Sequence, residues 1–191
     1  MSLDTLTTCS PPTTLTEIQP ENILQHGPSK RYVDEFLWFE GKLGAVATYQ
    51  PTAEDVKDHF GVFRGVDQVE SFAQGTAVAA ITLLEAQKQG MSIVEFQKHW
   101  NIAFLGVEQV KLLNFLREGD RMVAVAQTTF HRFHQMIVNG KTFRAPADFD
   151  LQAWARDFSK QDLLDYRMPE SFQPIGEISD LKVVALKKTK F

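Results

Sequence analysis

The chain has 191 residues and a mass of 21.7 kDa, with 43% hydrophobic and 23% charged residues. This length suits one sizeable core, and the composition excludes collagen-like, largely disordered and disulfide-stapled proteins. A net charge of −4 without a basic run argues against a nucleic-acid partner. No apolar stretch reaches the roughly 18 residues of a membrane-spanning helix. The single cysteine, Cys9, and the absence of a secretion-signal pattern predict a cytoplasmic protein.

The N-terminal region has no sustained hydrophobic period. Residues 1–30 contain six threonines and four prolines, which predicts an extended arm with at most a short helical turn after Thr16. Regular structure is predicted to begin near Tyr32, within a single domain over residues 31–191. Val33–Phe39 and Ala45–Gln50 lie on either side of a glycine-rich turn and are predicted to form two strands.

The hydrophobic period changes after Gly65. Apolar residues now recur at spacings of three and four, which predicts a helix over Val66–Gln89 that ends at Gly90. The apolar positions are Val66, Val69, Ala73, Ala77, Ala80, Ile81 and Leu84. A second helix is predicted from Ser92 to about Trp100, with Ser92 as its N-cap.

Strand-like runs return after the second helix. Strands are predicted over Ile102–Leu116, Met122–Val138, Lys141–Ala145 and Ser179–Lys187. Asn139-Gly140 is predicted to be a hairpin turn, and Phe149–Tyr166 is predicted to be helical. The order predicts an α+β fold in which an antiparallel sheet packs on one long helix, with a C-terminal extension from about residue 146.

Glu70 interrupts the apolar stripe of the long helix. It follows Val66 by four residues and precedes Ala73 by three, so its carboxyl lies on or beside the buried face. A carboxyl in such a place acquires a partner or has a raised pKa, and a raised pKa suits a general acid near neutral pH. The periodicity alone favours the other interpretation, in which Glu70 reaches solvent at the edge of the stripe or bonds a core hydroxyl.

His59 lies in the loop before the long helix. With Glu70 it places an imidazole and a carboxyl on either side of the helix start, where the N–H groups of Gly65 and Val66 have no intrahelical partners. Such donors can bind a thioester carbonyl oxygen as it gains negative charge. The segment predicts a proton-transfer site, and the alternative is that His59 is an exposed loop residue.

His131 and His134 are the remaining histidine pair considered for a site. They lie three residues apart on a predicted strand, so they are expected to face opposite sides of the sheet. No cysteine or carboxylate completes a zinc-binding pattern around them. We therefore interpret both as surface or sheet-edge residues and predict no metal site.

His59-Phe60 and the run Gly65–Gln74 resemble the active-site segment of the bacterial 3-hydroxyacyl-ACP dehydratases, which have the hotdog fold. Downstream, Phe104–Lys111 and Glu118-Gly119-Asp120 are similar to the third strand of that family and the turn after it. The resemblance covers roughly residues 32–145. It implies a hotdog fold and a homodimer or larger assembly, with the histidine and the carboxylate drawn from opposite subunits.

The same resemblance implies a reaction. Its members dehydrate a 3-hydroxyacyl chain that a thioester joins to the phosphopantetheine of ACP or CoA, without a further cofactor. By this resemblance His59 handles the C2 proton and Glu70 serves the departing 3-hydroxyl. The backbone of Gly65 and Val66 holds the thioester oxygen, and Gln74 orients the acid.

A second resemblance implies a different chemistry. Phe63–Gln74 and Ser92–His99 look like the long-chain acyl thioesterase-like hotdog proteins that include enoyl-ACP glycyl-adding enzymes. This resemblance implies that Glu70 works as a general base, either in hydrolysis or in modification of an enoyl thioester, and that His59 is incidental. A non-catalytic acyl-binding hotdog protein is the remaining alternative.

Overall fold

The computed structural model describes residues 14–188, so Cys9 and the first part of the predicted arm lie outside the described residues. The strands are β1 (Glu35–Glu40), β2 (Gly44–Tyr49), β3 (Val62–Phe63), β4 (Trp100–Gly106), β5 (Gln109–Leu112), β6 (Leu116–Arg117), β7 (Arg121–Arg132), β8 (Gln135–Ala145) and β9 (Gln173–Lys187). The α-helices are α1 (Pro20–Ile23), α2 (Ala53–Val56), α3 (Gly65–Phe72), α4 (Ala79–Lys88), α5 (Ile93–His99), α6 (Leu151–Asp157) and α7 (Lys160–Asp165). No helix within residues 14–188 is both long and apolar enough to cross a membrane.

One antiparallel sheet of seven strands forms the frame of the fold. Its order is β1-β2-β7-β8-β9-β4, with β5 also paired to β9, while β3 and β6 form a separate pair. Successive side chains of a strand point to opposite faces. Accordingly, β7 contributes Met122, Ala124 and Ala126 to one hydrophobic core and Val123 and Val125 to another.

The first core lies between the sheet and the central helix, our name for the continuous helical segment from Gly65 to Lys88. It consists of α3, a π-helical segment (Ala73–Val78) and α4, and it confirms the helix predicted from the apolar stripe to within one residue at each end. Small residues let the helix lie close to the strands. A Cβ at Gly75 would lie 2.7 Å from the Cβ of Ala47 on β2.

The second core lies on the opposite face of the sheet, under the C-terminal extension. Leu151, Phe158 and Leu163 cover Val123 and Val125 of β7 there. The single helix predicted in this region is instead two helices, because Ser159 begins a new one: its hydroxyl accepts a hydrogen bond from the Asp162 amide. The chain then returns into the sheet as β9, between β8 and β4.

The β7–β8 hairpin turns at Phe133 and His134, so the turn predicted at Asn139-Gly140 is wrong. Both turn residues have positive φ, 52° and 61°. Gly140 lies inside β8, where a Cβ would stand 2.4 Å from the Val125 carbonyl oxygen and 2.5 Å from the Phe72 ring. The glycine therefore serves the close approach of strand and central helix rather than a turn.

The region predicted as one strand over 102–116 is three strands. β4 and β5 pair with successive parts of β9, on either side of Asp180, whose φ is 50°, and β6 pairs with β3. The positive φ of Asp180 interrupts the extended backbone of β9 at the point where its partner changes from β5 to β4. β4 consequently forms one edge of the large sheet.

The segment over residues 14–30 packs into the protein, unlike the extended arm predicted there. Leu15, Ile23 and Leu24 are buried in the first core, and α1 contacts α4 and α5. Short helical turns at Leu15–Glu17 and Pro28–Lys30 flank α1. The burial of these side chains fixes the course of the chain as it crosses the central helix.

Candidate active site

A groove of about 360 Å³ lies between the start of the central helix and the strands β4 and β5. We call it the helix groove. Among its lining residues Glu70 carries the single ionisable side chain, and the others are apolar residues and a glycine. Val66, Val69 and Ala73 form the helix side, and Phe104, Val110 and Leu112 form the strand side. The groove offers apolar walls with one carboxyl group at its edge.

Glu70 has two polar neighbours. Gln74 Nε2 donates a hydrogen bond to Glu70 Oε1 at 2.8 Å, and His26 Nε2 lies 3.4 Å from the same oxygen. The Glu70 side chain is 40% exposed. It therefore sits at the edge of the apolar stripe, as one of the two interpretations of the sequence expected, and it has acquired partners there.

The pKa of Glu70 is lowered, so the raised pKa considered from its position on the stripe is wrong. The contact with His26 has the largest effect on this pKa, and the hydrogen bond from Gln74 acts in the same direction. Partial burial opposes both by disfavouring the charged form. Glu70 is consequently a carboxylate near neutral pH, which suits a proton acceptor.

Gln74 ties the N-terminal segment to the central helix. Its side chain is fully buried, its Nε2 also donates to the Lys30 carbonyl at 2.8 Å, and its Oε1 accepts from the Tyr32 amide at 2.9 Å. Ser71 adds a hydrogen bond to the Tyr32 carbonyl at 2.7 Å. One amide group thus contacts Glu70 and holds the chain beside it.

Gly65 and Val66 open the central helix and line the same groove as Glu70. The amides of Asp67 and Gln68 bond the Arg64 carbonyl, whereas the first amides of a helix have no intrahelical acceptor. A Cβ at Gly65 would lie 2.1 Å from Leu112 Cδ1. Leu112 of β5 therefore lies directly over the helix start.

His59 lies in a different place from Glu70 within the chain. It lines a polar pocket of about 340 Å³ together with Lys30, Tyr32 and Arg64. Its Nδ1 is 3.2 Å from the Val62 carbonyl oxygen. The structure thus brings Glu70, Gln74, Gly65 and Val66 to one groove, and His59 to another pocket.

His26 is the site residue that the sequence reasoning missed. Its neighbours Ile23 and Leu24 are buried, and this brings the histidine to Glu70 near the start of the central helix. An apolar pair inside a supposed extended arm is the signal that could have indicated a packed segment. Because Glu70 lies far from His26 along the chain, no local sequence pattern indicates the contact between them.

His131 and His134 both contact the fully buried carboxyl of Glu85. His131 Nε2 lies 3.0 Å from one oxygen and His134 Nδ1 lies 2.6 Å from the other. The prediction that they face opposite sides is wrong, because the chain reverses between them at Phe133 and His134. His131 is also buried, with 6% of its side chain exposed. Across residues 14–188 no cluster of histidine, cysteine and acidic side chains has the arrangement of a metal site.

Comparison with solved structures places the chain among proteins of similar shape and low sequence identity. A chain of the dehydratase heterocomplex ApeI:P from Xenorhabdus doucetiae has a TM-score of 0.58 and 8% identity, covering 91% of this chain and 93% of that one. A hypothetical thioesterase with coenzyme A from Streptococcus pneumoniae TIGR4 has a TM-score of 0.49 and 7% identity, covering 82% and 88%. The E. coli PaaI protein of the phenylacetic acid degradation operon has a TM-score of 0.45 and 12% identity, covering 77% and 79%.

No protein-family profile and no curated protein sequence matches the chain. At 8% identity the similarity to the dehydratase complex establishes the fold alone. Together with the antiparallel sheet packed on one long central helix, it confirms the predicted α+β hotdog fold.

Proposed function

We propose that this protein is an enzyme acting on acyl thioesters, and that its reaction is the dehydration of a 3-hydroxyacyl chain. The observation that carries the proposal is the Glu70 carboxylate at the edge of an otherwise apolar groove, beside the first amides of the central helix. The fold, which is shared with a chain of a dehydratase complex, is compatible with this reaction. The carrier is the phosphopantetheine of ACP or CoA.

The groove suits an acyl chain because its walls offer almost no hydrogen-bonding groups. Each methylene moved from water into such walls contributes about 0.8 kcal/mol. Val66, Val69, Phe104 and Leu112 would contact the chain. Glu70 at the rim would then meet the part of the substrate near the thioester, where the reacting carbon atoms lie.

The amides of Gly65 and Val66 would hold the thioester oxygen. Removing the C2 proton puts negative charge on that oxygen, and N–H groups at a helix start stabilise such charge. Both residues line the groove that Glu70 borders. The oxyanion site and the proton acceptor are therefore within reach of the same substrate.

The contacts of Glu70 with His26 and Gln74 favour its ionised form, and the proposed proton steps start from that form. As a carboxylate, Glu70 takes the C2 proton, the C2–H electrons form the C2–C3 double bond, and the C3–O bond breaks. The hydroxyl leaves as water after accepting a proton from an acid. We propose that the acid is the protonated imidazole of His59 of the partner subunit, so the two roles are reversed relative to those that the family resemblance implies.

We propose that the protein works as a homodimer, and the exposed sheet edge beside the site supports this. β4 is an edge strand. Leu105 lies in β4 and is 56% exposed, and Leu113 directly follows β5 and is 55% exposed. Exposed apolar side chains at an unpaired edge favour pairing with a second copy. Such a dimer would cover these side chains and allow His59 to act across the interface.

Hydrolysis of an acyl thioester is the second candidate function. An ionised Glu70 can activate water as a general base without any imidazole, and His59 lies in a different pocket of the same chain. Under this function the amides of Gly65 and Val66 keep their role, because hydrolysis also develops charge on the thioester oxygen.

The test is an assay of purified protein with 3-hydroxyacyl, enoyl and saturated acyl thioesters, each on ACP and on CoA. Formation of the enoyl product identifies dehydration, and release of free thiol identifies hydrolysis. Glu70→Gln should lower turnover by about 10²–10⁴-fold. Glu95→Gln is the matched control, because Glu95 also pairs with a histidine, His99, but on the exposed helix α5. Absence of turnover with every thioester would refute the proposal.

A further inference from the structure

The segment before β1 presents a histidine to the proposed catalytic carboxylate. We propose that His26 is a positioning residue, which through Nε2 holds the Oε1 oxygen of Glu70 and leaves Oε2 to take the substrate proton. The inference rests on the proposed function in that Glu70 is the base. The imidazole itself does not exchange a proton with the substrate.

The two oxygens of Glu70 are used unequally. Oε1 accepts a hydrogen bond from Gln74 Nε2 at 2.8 Å and faces His26 Nε2 at 3.4 Å. Within the described part of the chain, the side-chain hydrogen bonds and ion pairs of Glu70 all involve Oε1. Because the side chain is partly exposed beside the groove, Oε2 is the oxygen available to a substrate.

The environment of the His26 ring selects its tautomer. Nδ1 is buried and has no hydrogen-bond partner among the described residues. A proton on Nδ1 would be a buried donor without an acceptor, whereas the tautomer with its proton on Nε2 donates toward Glu70. With Nδ1 closed to solvent and Nε2 directed at Glu70, the ring acts on the substrate only through the carboxylate.

The backbone around His26 is held on both sides, so the imidazole has a fixed position. Before it, Ile23 and Leu24 are buried, and Gln25 Nε2 donates to the Trp100 carbonyl at 3.2 Å. After it, Gln74 bonds the backbone of Lys30 and Tyr32. Residues supported in this way keep a neighbouring catalytic group in its productive geometry.

The other charged groups near Glu70 have partners of their own. Asp67, one turn earlier on the central helix, forms a two-point ion pair with Arg64 at 2.5 and 2.9 Å. The Lys30 ammonium lies 3.4 Å from the Tyr32 hydroxyl. On the strand side, the groove is lined by apolar residues of β4, β5 and the loop between them. His26 is thus the titratable group in this neighbourhood that contacts the carboxylate.

The direct test is a carbon-13 NMR titration of the Glu70 carboxyl, assigned by its loss in Glu70→Gln. In His26→Ala the pKa of Glu70 should rise toward the ordinary value of a glutamate. In His26→Gln it should stay lower than in His26→Ala, because the glutamine amide can donate in place of Nε2–H. His99→Ala removes an exposed imidazole that contacts Glu95 and should leave the Glu70 titration unchanged. An identical Glu70 titration in wild type and His26→Ala would overturn the inference.

Kinetics give an independent readout. His26→Ala should lower kcat about tenfold with KM changed less than about twofold, and His26→Gln should restore kcat to within about threefold of wild type. The acid limb of kcat/KM should move with the NMR titration. If His26→Ala and His26→Gln lose kcat equally and the acid limb of kcat/KM does not move, the ring itself transfers the proton. That result would contradict the inference. A wild type without turnover would refute the proposed function, while the NMR titration would still decide the contact.

Discussion

His131 Nε2 lies 3.0 Å from Oε1 of Glu85, and both side chains are buried. Glu85 stands near the end of the central helix, and His131 comes from the end of β7. His134 Nδ1 contacts the other oxygen of this carboxyl, and the Lys88 ammonium lies 3.7 Å from Oε1. A buried carboxylate requires such partners, because an isolated charge is strongly disfavoured away from water. This cluster therefore joins the helix to the β7–β8 hairpin.

Burial lowers the pKa of His131 below the ordinary value of a histidine, about 6.5, and the contact with Glu85 opposes this effect only in part. Below pH 6.5 the unfolded chain therefore binds a proton at this residue before the folded chain does. The stability contributed by His131 is present above that pH and is lost as the pH falls through the folded pKa. Urea unfolding of wild type and His131→Gln from about pH 7.5 to about pH 5 should show their difference shrinking. A difference that stays constant over this range would contradict the prediction.

Removing the carboxyl of Glu85 should destabilise the protein strongly. Glu85→Ala leaves the buried His131 ring and the Lys88 ammonium without their partner and opens a cavity beside the helix. Leaving a buried hydrogen-bonding group without its partner typically destabilises by about 1–3 kcal/mol, and the cavity adds to this loss. Glu95→Ala, which removes an exposed glutamate that also contacts a histidine, should change the free energy of unfolding far less than Glu85→Ala does. Equal effects of the two substitutions in urea unfolding would contradict this account.

Gly140 should not tolerate a side chain. A Cβ there would meet the Val125 carbonyl oxygen at 2.4 Å, and backbone atoms have no rotamer with which to give way. Gly140→Ala should therefore destabilise by at least about 1–3 kcal/mol. Gly106→Ala is the matched control, because a Cβ at this other strand glycine meets nothing within 4 Å. The comparison is made by thermal and urea unfolding, and similar stabilities of the two variants would be evidence against the close approach.

The sequence predicts the features of this fold that depend on local periodicity. The Val66–Gln89 stripe marks a helix because one face must be buried, and the structure has that helix at Gly65–Lys88. The Asn139-Gly140 pair predicts a turn that is not there. Glycine occurs both in turns and where two backbones approach closely, and the sequence alone does not distinguish the two cases. The hairpin turns instead at residues without a turn signature, Phe133 and His134.

In the candidate site, too, the features that depend on local periodicity are predictable, and those that depend on tertiary packing are not. Glu70 is visible because it breaks a periodic pattern, and its neighbours on the helix follow from i, i+4 geometry, as with Gln74. The contact of His26 with Glu70 joins two distant parts of the chain through tertiary packing, which leaves no local pattern. The direction of the Glu70 pKa depends on that contact, so it could not be predicted from burial alone.

His59 should act on the Glu70 of the opposite subunit. His59→Ala and Glu70→Gln should each lower dehydration about 10²–10⁴-fold, because each removes one proton-transfer group from every site. In a heterodimer of the two variants, one of the two sites contains both an intact His59 and an intact Glu70. Random mixing by joint refolding should thus restore about a quarter of wild-type turnover, as expected for twofold-symmetric sites shared between subunits. Mixing either variant with itself is the control. Mixed samples that remain as inactive as the single variants would show that His59 does not serve a shared site, and hydrolysis by Glu70 alone would then be the reaction to pursue.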